Sequence, residues 1–297
     1  MRFMKFLIAS FIAIYASVSA SQVIEVVWPF NSSGVTANHI RFLVDEANVI
    51  QSDYKFIFVN KPGAAGAISA GYVSNRNAPA ILATGSNYFI RLGLFSNNPY
   101  DINTFKPLVG LCYSPPIVYS KKYSTFKDVP VDANINIGVT GLGANTHLVA
   151  LEIQKKYKNV NIVPYQGSIQ SIIDATAGRL DMGIAFIGDV RQHIESGALN
   201  GVGLSGNKIL FNTPTLKSQG IDGTEGIVQP FFLLSNTYVT NEMHEKFKEI
   251  FSKAKRGTHV QNNYTLDFCT EYNISDAWYK QQEQYWKSIT KNIKVNE

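Results

Sequence analysis

The chain has 297 residues, 45% of them hydrophobic, enough to bury one large core or two modest ones in a globular protein. Its formal charge of +5 falls to +3 if Arg2 and Lys5 leave with an N-terminal leader, and the remaining basic residues are scattered, so no stripe suited to nucleic acid is present. Two cysteines, Cys112 and Cys269, have no CxxC or Cys/His spacing that would support a zinc site, and they leave a disulfide open.

Met1 to Ala20 reads as a secretory signal. Arg2 and Lys5 precede an apolar run from Phe6 to Val18, and Val18-Ser19-Ala20 offers small residues for cleavage after Ala20. The run is shorter than the about 20 apolar residues that a spanning helix needs. Val23, Ile24, Val26 and Val27 then predict a buried strand, and Pro29 disfavours helix at Trp28. Ile40, Leu43, Val44 and Ala47 fall at helical spacing. Between them, Asn31-Ser32-Ser33-Gly34 is a small polar turn in which Ser32 or Ser33 can cap the helix, whose N-terminal amides attract an anion. Tyr54 to Val59 predicts a second strand, Asn60 to Gly66 a glycine-rich loop, and Ala80 to Thr84 a third strand ending at Gly85-Ser86-Asn87. Strand, crossover and strand repeat here, as in an α/β fold with a parallel sheet, where ligands bind beyond the carboxyl ends of the strands.

Tyr100 to Val109 is turn-rich, Pro115-Pro116 opens an extended run through Tyr119, and the composition turns polar from Ser120 to Pro130. A crossing to a second domain is expected there, giving lobe 1 as residues 21–120 plus 229–297 and lobe 2 as 121–228. The second domain restarts the pattern. Ile135, Ile137 and Val139 alternate as a strand, Thr140 to Asn145 forms a turn, and Thr146, Val149, Ala150, Ile153 and Tyr157 make a helical stripe. Val160 to Pro164 is a short strand, and Ser168 can cap the helix that follows. Leu180 to Ile187 and Ala198 to Leu204 supply further strands, and Gln229 to Leu234 returns to the first domain. Two helices close the chain, one capped by Thr240 or Asn241 and one expected to pack through Trp278, Gln282, Tyr285 and Ile289.

Three stretches, Trp28 to Gly34, Val59 to Gly66 and Gly141 to Leu148, resemble the signature regions of the periplasmic binding proteins of tripartite tricarboxylate transporters. Phe105 to Leu108, Val163 to Gly167, Ala177 to Asp181, Ser196 to Leu199 and Thr213 to Leu216 match in the family's order. The resemblance implies a bilobed "Venus flytrap" of two sheet-and-helix domains that closes on a small organic acid ligand in the periplasm and delivers it to the membrane permease subunits of such a transporter. It implies no catalysis, no cofactor and no metal, and a monomer is expected. Carried onto this chain, Phe30, Asn31, Ser32, Ser33 and Gly34 face Gly141, Gly143, Ala144, Asn145, Thr146 and His147 across the cleft. Ser86, Asn87, Tyr165, Gly167 and Asp181 lie nearby. Opposed helix N-termini supply amide donors for a carboxylate without an arginine.

The sequence departs from the family pattern at the first turn. Ala37 stands where an aspartate is usual, and Asn31-Ser32-Ser33 replaces a Pro-Gly run, which leaves the identity of the carboxylate open. His147 can either donate to the ligand or pack at the helix start, and Asp181 suits the holding of loop amides better than direct contact with an anion. Two other functional classes stay open: a secreted hydrolase-like enzyme and a ligand-responsive partner of a membrane sensor. Gly203-Leu204-Ser205-Gly206-Asn207 fails the nucleophile-elbow pattern, and Gly141-x-Gly143-x-x-Thr146 fails the dinucleotide fingerprint at its third position.

Overall fold

Residues 21–258, 260, 272–291 and 293 are described by a computed structural model. The expected leader and Cys269 lie outside them. Two five-stranded sheets form the two lobes. The first contains β1 (Gln22–Trp28), β2 (Tyr54–Asn60), β3 (Ala80–Gly85), β4 (Phe105–Ser114) and β10 (Gln229–Asn236), in the order β2-β1-β3-β10-β4. The second contains β5 (Pro116–Ser120), β6 (Ile135–Val139), β7 (Val160–Pro164), β8 (Met182–Phe186) and β9 (Asn200–Leu204), in the order β7-β6-β8-β5-β9. In each sheet three strands run parallel, and the fourth, β10 or β5, runs antiparallel to its neighbours after arriving from the other lobe.

Burial follows from the apolar runs. Every residue of β3, β8 and β10 is buried, as expected of strands covered on both faces. Helix α1 (Val35–Val49) buries Ala37, Ile40, Leu43, Val44 and Ala47, the stripe read from the sequence. The remaining helices are α2 (Ala67–Ser74), α3 (Asn87–Leu94), α4 (Asn145–Lys156), α5 (Ser168–Thr176), α6 (Ile187–Glu195), α7 (Asn241–Ala254) and α8 (Asp276–Thr290). Thr240 caps α7 by accepting from Met243 N–H at 3.2 Å.

Four expectations are corrected. Phe105–Ser114 is a ten-residue strand rather than a turn-rich segment. Pro107 brings no N–H to the ladder, yet β4 is an edge strand with a register shift near Pro107, where a missing N–H costs little. The crossing between lobes falls at Pro115 rather than at residue 120, because β5 pairs with β8 and β9. Neither Ser32 nor Ser33 caps α1: its N-cap is Gly34, which has no side chain to offer. The inward face of α8 is set by Tyr279, Trp286 and Thr290, with Trp278 and Ile289 flanking it and Tyr285 36% exposed. The two large buried rings, seven residues apart, fix that rotation. Cys112, buried on β4, is disulfide-bonded.

Candidate functional site

The three parallel strands of each lobe end at the same place. Turns after β1, β2 and β3 meet turns after β6, β7 and β8, and glycines let them approach. A methyl group added at Gly167 would lie 3.2 Å from Asn31 Cβ, and one at Gly141 would lie 3.5 Å from Ala65 Cβ. At Gly143 it would lie 3.0 Å from the Phe95 ring. All three glycines have positive φ, so a side chain there would also strain the backbone. Ala64 and Ala65 hold left-handed conformations at φ 47° and 49°, a cost of order 1 kcal/mol each, on the turn that faces Gly141.

Polar contacts cross the same gap. Ser86 Oγ lies 2.6 Å from Asn145 Oδ1 and 2.8 Å from Gln229 Oε1, with its single proton serving one oxygen at a time. Asn87 Nδ2 donates to Ala65 O at 2.5 Å and ties the second turn to the third. The N–H of Val35, the first residue of α1, donates to Asp189 Oδ1 at 2.9 Å, although Asp189 belongs to α6 in the other lobe. Ser168 Oγ donates to the other oxygen of Asp189. The carboxylate of Asp189 thus takes the place at the head of α1 where Ser32 or Ser33 was expected, and Ser168 serves as its donor rather than as the cap of α5. Burial raises the Asp189 pKa, opposed by the bonds from Ser168 and Val35, even though part of the residue reaches solvent.

Two cavities lie between the lobes. One of about 340 Å³ is lined by Pro29, Phe30, Gly63 to Ala65, Arg91 and Phe95 from lobe 1 and by Thr140 to Leu142 and Pro164 to Gln166 from lobe 2. The N–H groups of Gly141 and Leu142 on its wall have no protein acceptor among the described residues. The Arg91 guanidinium stacks on Phe95, 4.2 Å from the ring centre. The other cavity, about 30 Å³, lies among Trp28, Phe30, Phe186, Phe231, Ser168 and Asp189. Phe30 and Thr140 border both.

The expected site residues divide into three groups. Phe30, Asn31, Gly34, Gly141, Tyr165 and Gly167 line the cavities, and Gly143 lies against Phe95 of lobe 1. Ser32, Ser33, Asn87, Ala144, Thr146 and His147 shape the turns. Ser32 O accepts from Arg41 at 2.6 Å, and Ser33 Oγ donates to Asn31 Oδ1 at 2.6 Å. Ala144 N–H donates to Gly141 O at 3.3 Å, and Thr146 Oγ1 accepts from Thr140 N–H at 3.0 Å. His147 Nδ1 accepts from Gly143 N–H at 3.2 Å, and burial holds its pKa down to about 4. Ser86 and Asn145 bridge the lobes. The hydroxyl of Tyr165 is engaged with Asp174 at 2.7 Å, so its ring rather than its OH faces the question of binding.

Asp181 stands apart. It precedes β8, at the amino end of the strand, and its carboxylate accepts from Asn136 N–H at 2.9 Å. The acid brought to the cleft is Asp189, which the sequence reading missed. Its signal is positional: Ile187-Gly188-Asp189 follows the buried strand β8, at the carboxyl end where the other site turns lie. Among the described residues no group of three His, Cys, Asp or Glu is gathered for a metal, and no helix is long and apolar enough to cross a membrane.

The profile of the "Tripartite tricarboxylate transporter family receptor" matches residues 51–296, a range that starts after the departing first turn. A Pseudomonas sp. (strain P51) protein described as "UPF0065 protein in tcbD-tcbE intergenic region" is 25% identical over 183 residues, 56% of this chain. The matched stretch spans 54% of that relative's length. Among solved structures, the periplasmic binding protein BugD superposes with a TM-score of 0.81 at 20% identity, covering 91% of this chain and 97% of its own. Rpa4515 of R. palustris with adipate gives 0.79 at 18% identity, covering 93% and 97%. MatC of Rhodopseudomonas palustris with bound malate gives 0.78 at 16%, covering 91% and 98%. The two-lobed α/β architecture is therefore that of periplasmic binding proteins.

Proposed function

This chain belongs to the tripartite tricarboxylate transporter receptor family, and we propose on that premise that it captures a small organic carboxylate between its lobes. It then presents the closed form to the membrane permease subunits of such a transporter. The observation that carries this reading is the meeting of the carboxyl-end turns of β1, β2, β6 and β7 around a cavity of about 340 Å³ to which both lobes contribute. Unpaired amides at Gly141 and Leu142 are suited to a carboxylate, and enclosure strengthens those bonds by excluding water. The neighbours solved with adipate and with bound malate support an acid as the guest. In this reading the protein acts as a monomer in the periplasm, its leader is removed after Ala20, and it binds without turning its ligand over.

Thermal melts against di- and tricarboxylates, aromatic acids and acidic amino acids test the proposal. A ligand that binds only the folded form must raise the apparent Tm, so at least one class is expected to do so. A flat response across the panel would remove the reading. Mass spectrometry of acid released from freshly purified protein is an independent check.

A further inference from the structure

The smaller cavity has the opposite chemistry from that of an anion site. Its volume of about 30 Å³ has room for one or two water-sized groups, whereas a carboxylate head has three heavy atoms. Asp189 is the charged residue on its wall, and no Lys, Arg or His among the described residues compensates it. Each Asp189 oxygen accepts one hydrogen bond from the protein, from Val35 N–H and Ser168 Oγ, which leaves lone pairs for further donors. The neighbouring walls are aromatic: Trp28 and Phe30 have ring centroids 5.5 Å apart, and Phe186 and Phe231 5.4 Å apart. A half-buried carboxylate beside aromatic faces favours a cation, and a second carboxylate at the head of α1 would lie against a like charge.

We propose that the ligand carries a protonated amino group, which seats against Asp189 in the small cavity while its acid end lies in the adjoining larger one. The guest is then a small amino acid rather than a plain di- or tricarboxylate. The inference rests on the cleft being the ligand site, and it names the class of acid that fits. Phe30 and Thr140, which border both cavities, mark the boundary that the ligand backbone would cross.

Calorimetric titration of the purified full chain with matched pairs that differ only in the amino group tests this. The pairs are alanine and propionate, aspartate and succinate, glutamate and glutarate, and phenylalanine and 3-phenylpropionate. In at least one pair the amino member is expected to bind 10-fold or more tightly than its partner. Asp189→Asn is expected to abolish that preference, bringing the two members of the pair to within about threefold of each other. Equal or tighter binding of the amino-free acids to the wild type would overturn the inference and leave the carboxylate reading standing. A preference unchanged in Asp189→Asn would overturn it as well. Binding by none of the eight compounds would overturn the inference and leave the carboxylate reading to the wider panel of acids. The wild-type comparison needs no variant, so a misfolded Asp189→Asn leaves that test in force.

Discussion

Gly167 of one lobe and Asn31 of the other meet with no space for a side chain: a methyl group on Gly167 would lie 3.2 Å from Asn31 Cβ, and Gly167 has φ 154°. The lobes come together here because one partner is bare. Gly167→Ala is expected to keep the fold at a cost of about 1 kcal/mol and to oppose closure, weakening the best-binding acid by about 10-fold. Calorimetric affinity, with circular dichroism as the control for folding, measures this.

Ser86 and Asn145 are fully buried and bridge the lobes, so the closed form depends on their contact. Ser86→Ala leaves amide atoms of Asn145 and Gln229 without a partner, a penalty of about 1–3 kcal/mol that falls on the closed arrangement. The unliganded variant is expected to populate a more open form. Small-angle scattering would show this as a larger radius of gyration, which ligand at saturation reverses.

Protons act on His147 and His39, each held to a pKa of about 4 by burial, against 6.5 in an unfolded chain. Between pH 6.5 and 4 the unfolded chain binds more protons than the folded one. The stability associated with the neutral rings is therefore complete above about pH 6.5 and declines as pH falls towards 4, by up to about 3 kcal/mol for each histidine. His147→Gln, which keeps an acceptor for Gly143 N–H, should show a shallower fall of Tm across that interval. An unchanged slope would argue against the buried neutral imidazole.

Asp189 has the opposite sign. Burial raises its pKa, so its ionised form weakens the unliganded protein at neutral pH and protonation relieves that cost. Asp189→Asn keeps an acceptor for Val35 N–H and is expected to raise the ligand-free Tm at pH 7 by roughly 2–4 °C, about 1 kcal/mol. The gain should shrink as pH falls through the carboxylate range. A lower Tm at every pH would show that the charge stabilises the head of α1 more than desolvation weakens it.

Most of the architecture was legible because long apolar segments keep one period: the α1 stripe from Ile40 to Ala47 and the strand runs of β1, β3 and β6 all fold as read. Strand β4 was hidden because Pro107 is tolerated on an edge, and strand neighbours are not encoded locally. For the same reason the crossing was placed late: whether residues 116–120 belong to one sheet or the other depends on pairing with β8 and β9, over sixty residues away. The site turns were found through glycines and hydroxyls, whose conformational roles are local. Asp189 was not, because its importance comes from Val35, 154 positions distant in sequence. Asp181 attracted notice through a motif, yet it sits at the wrong end of its strand.

The antiparallel strands that link the lobes also order the assembly of the chain. Residues 116–228 form one unbroken segment that contains every strand of the second sheet, so it can finish folding without waiting for the residues on either side of it. The first sheet cannot, because β10 must insert between β3 and β4 after more than a hundred intervening residues have been made. The middle of the polypeptide can therefore mature first, and the amino-terminal strands keep an uncovered edge beside β3 until β10 arrives to fill it.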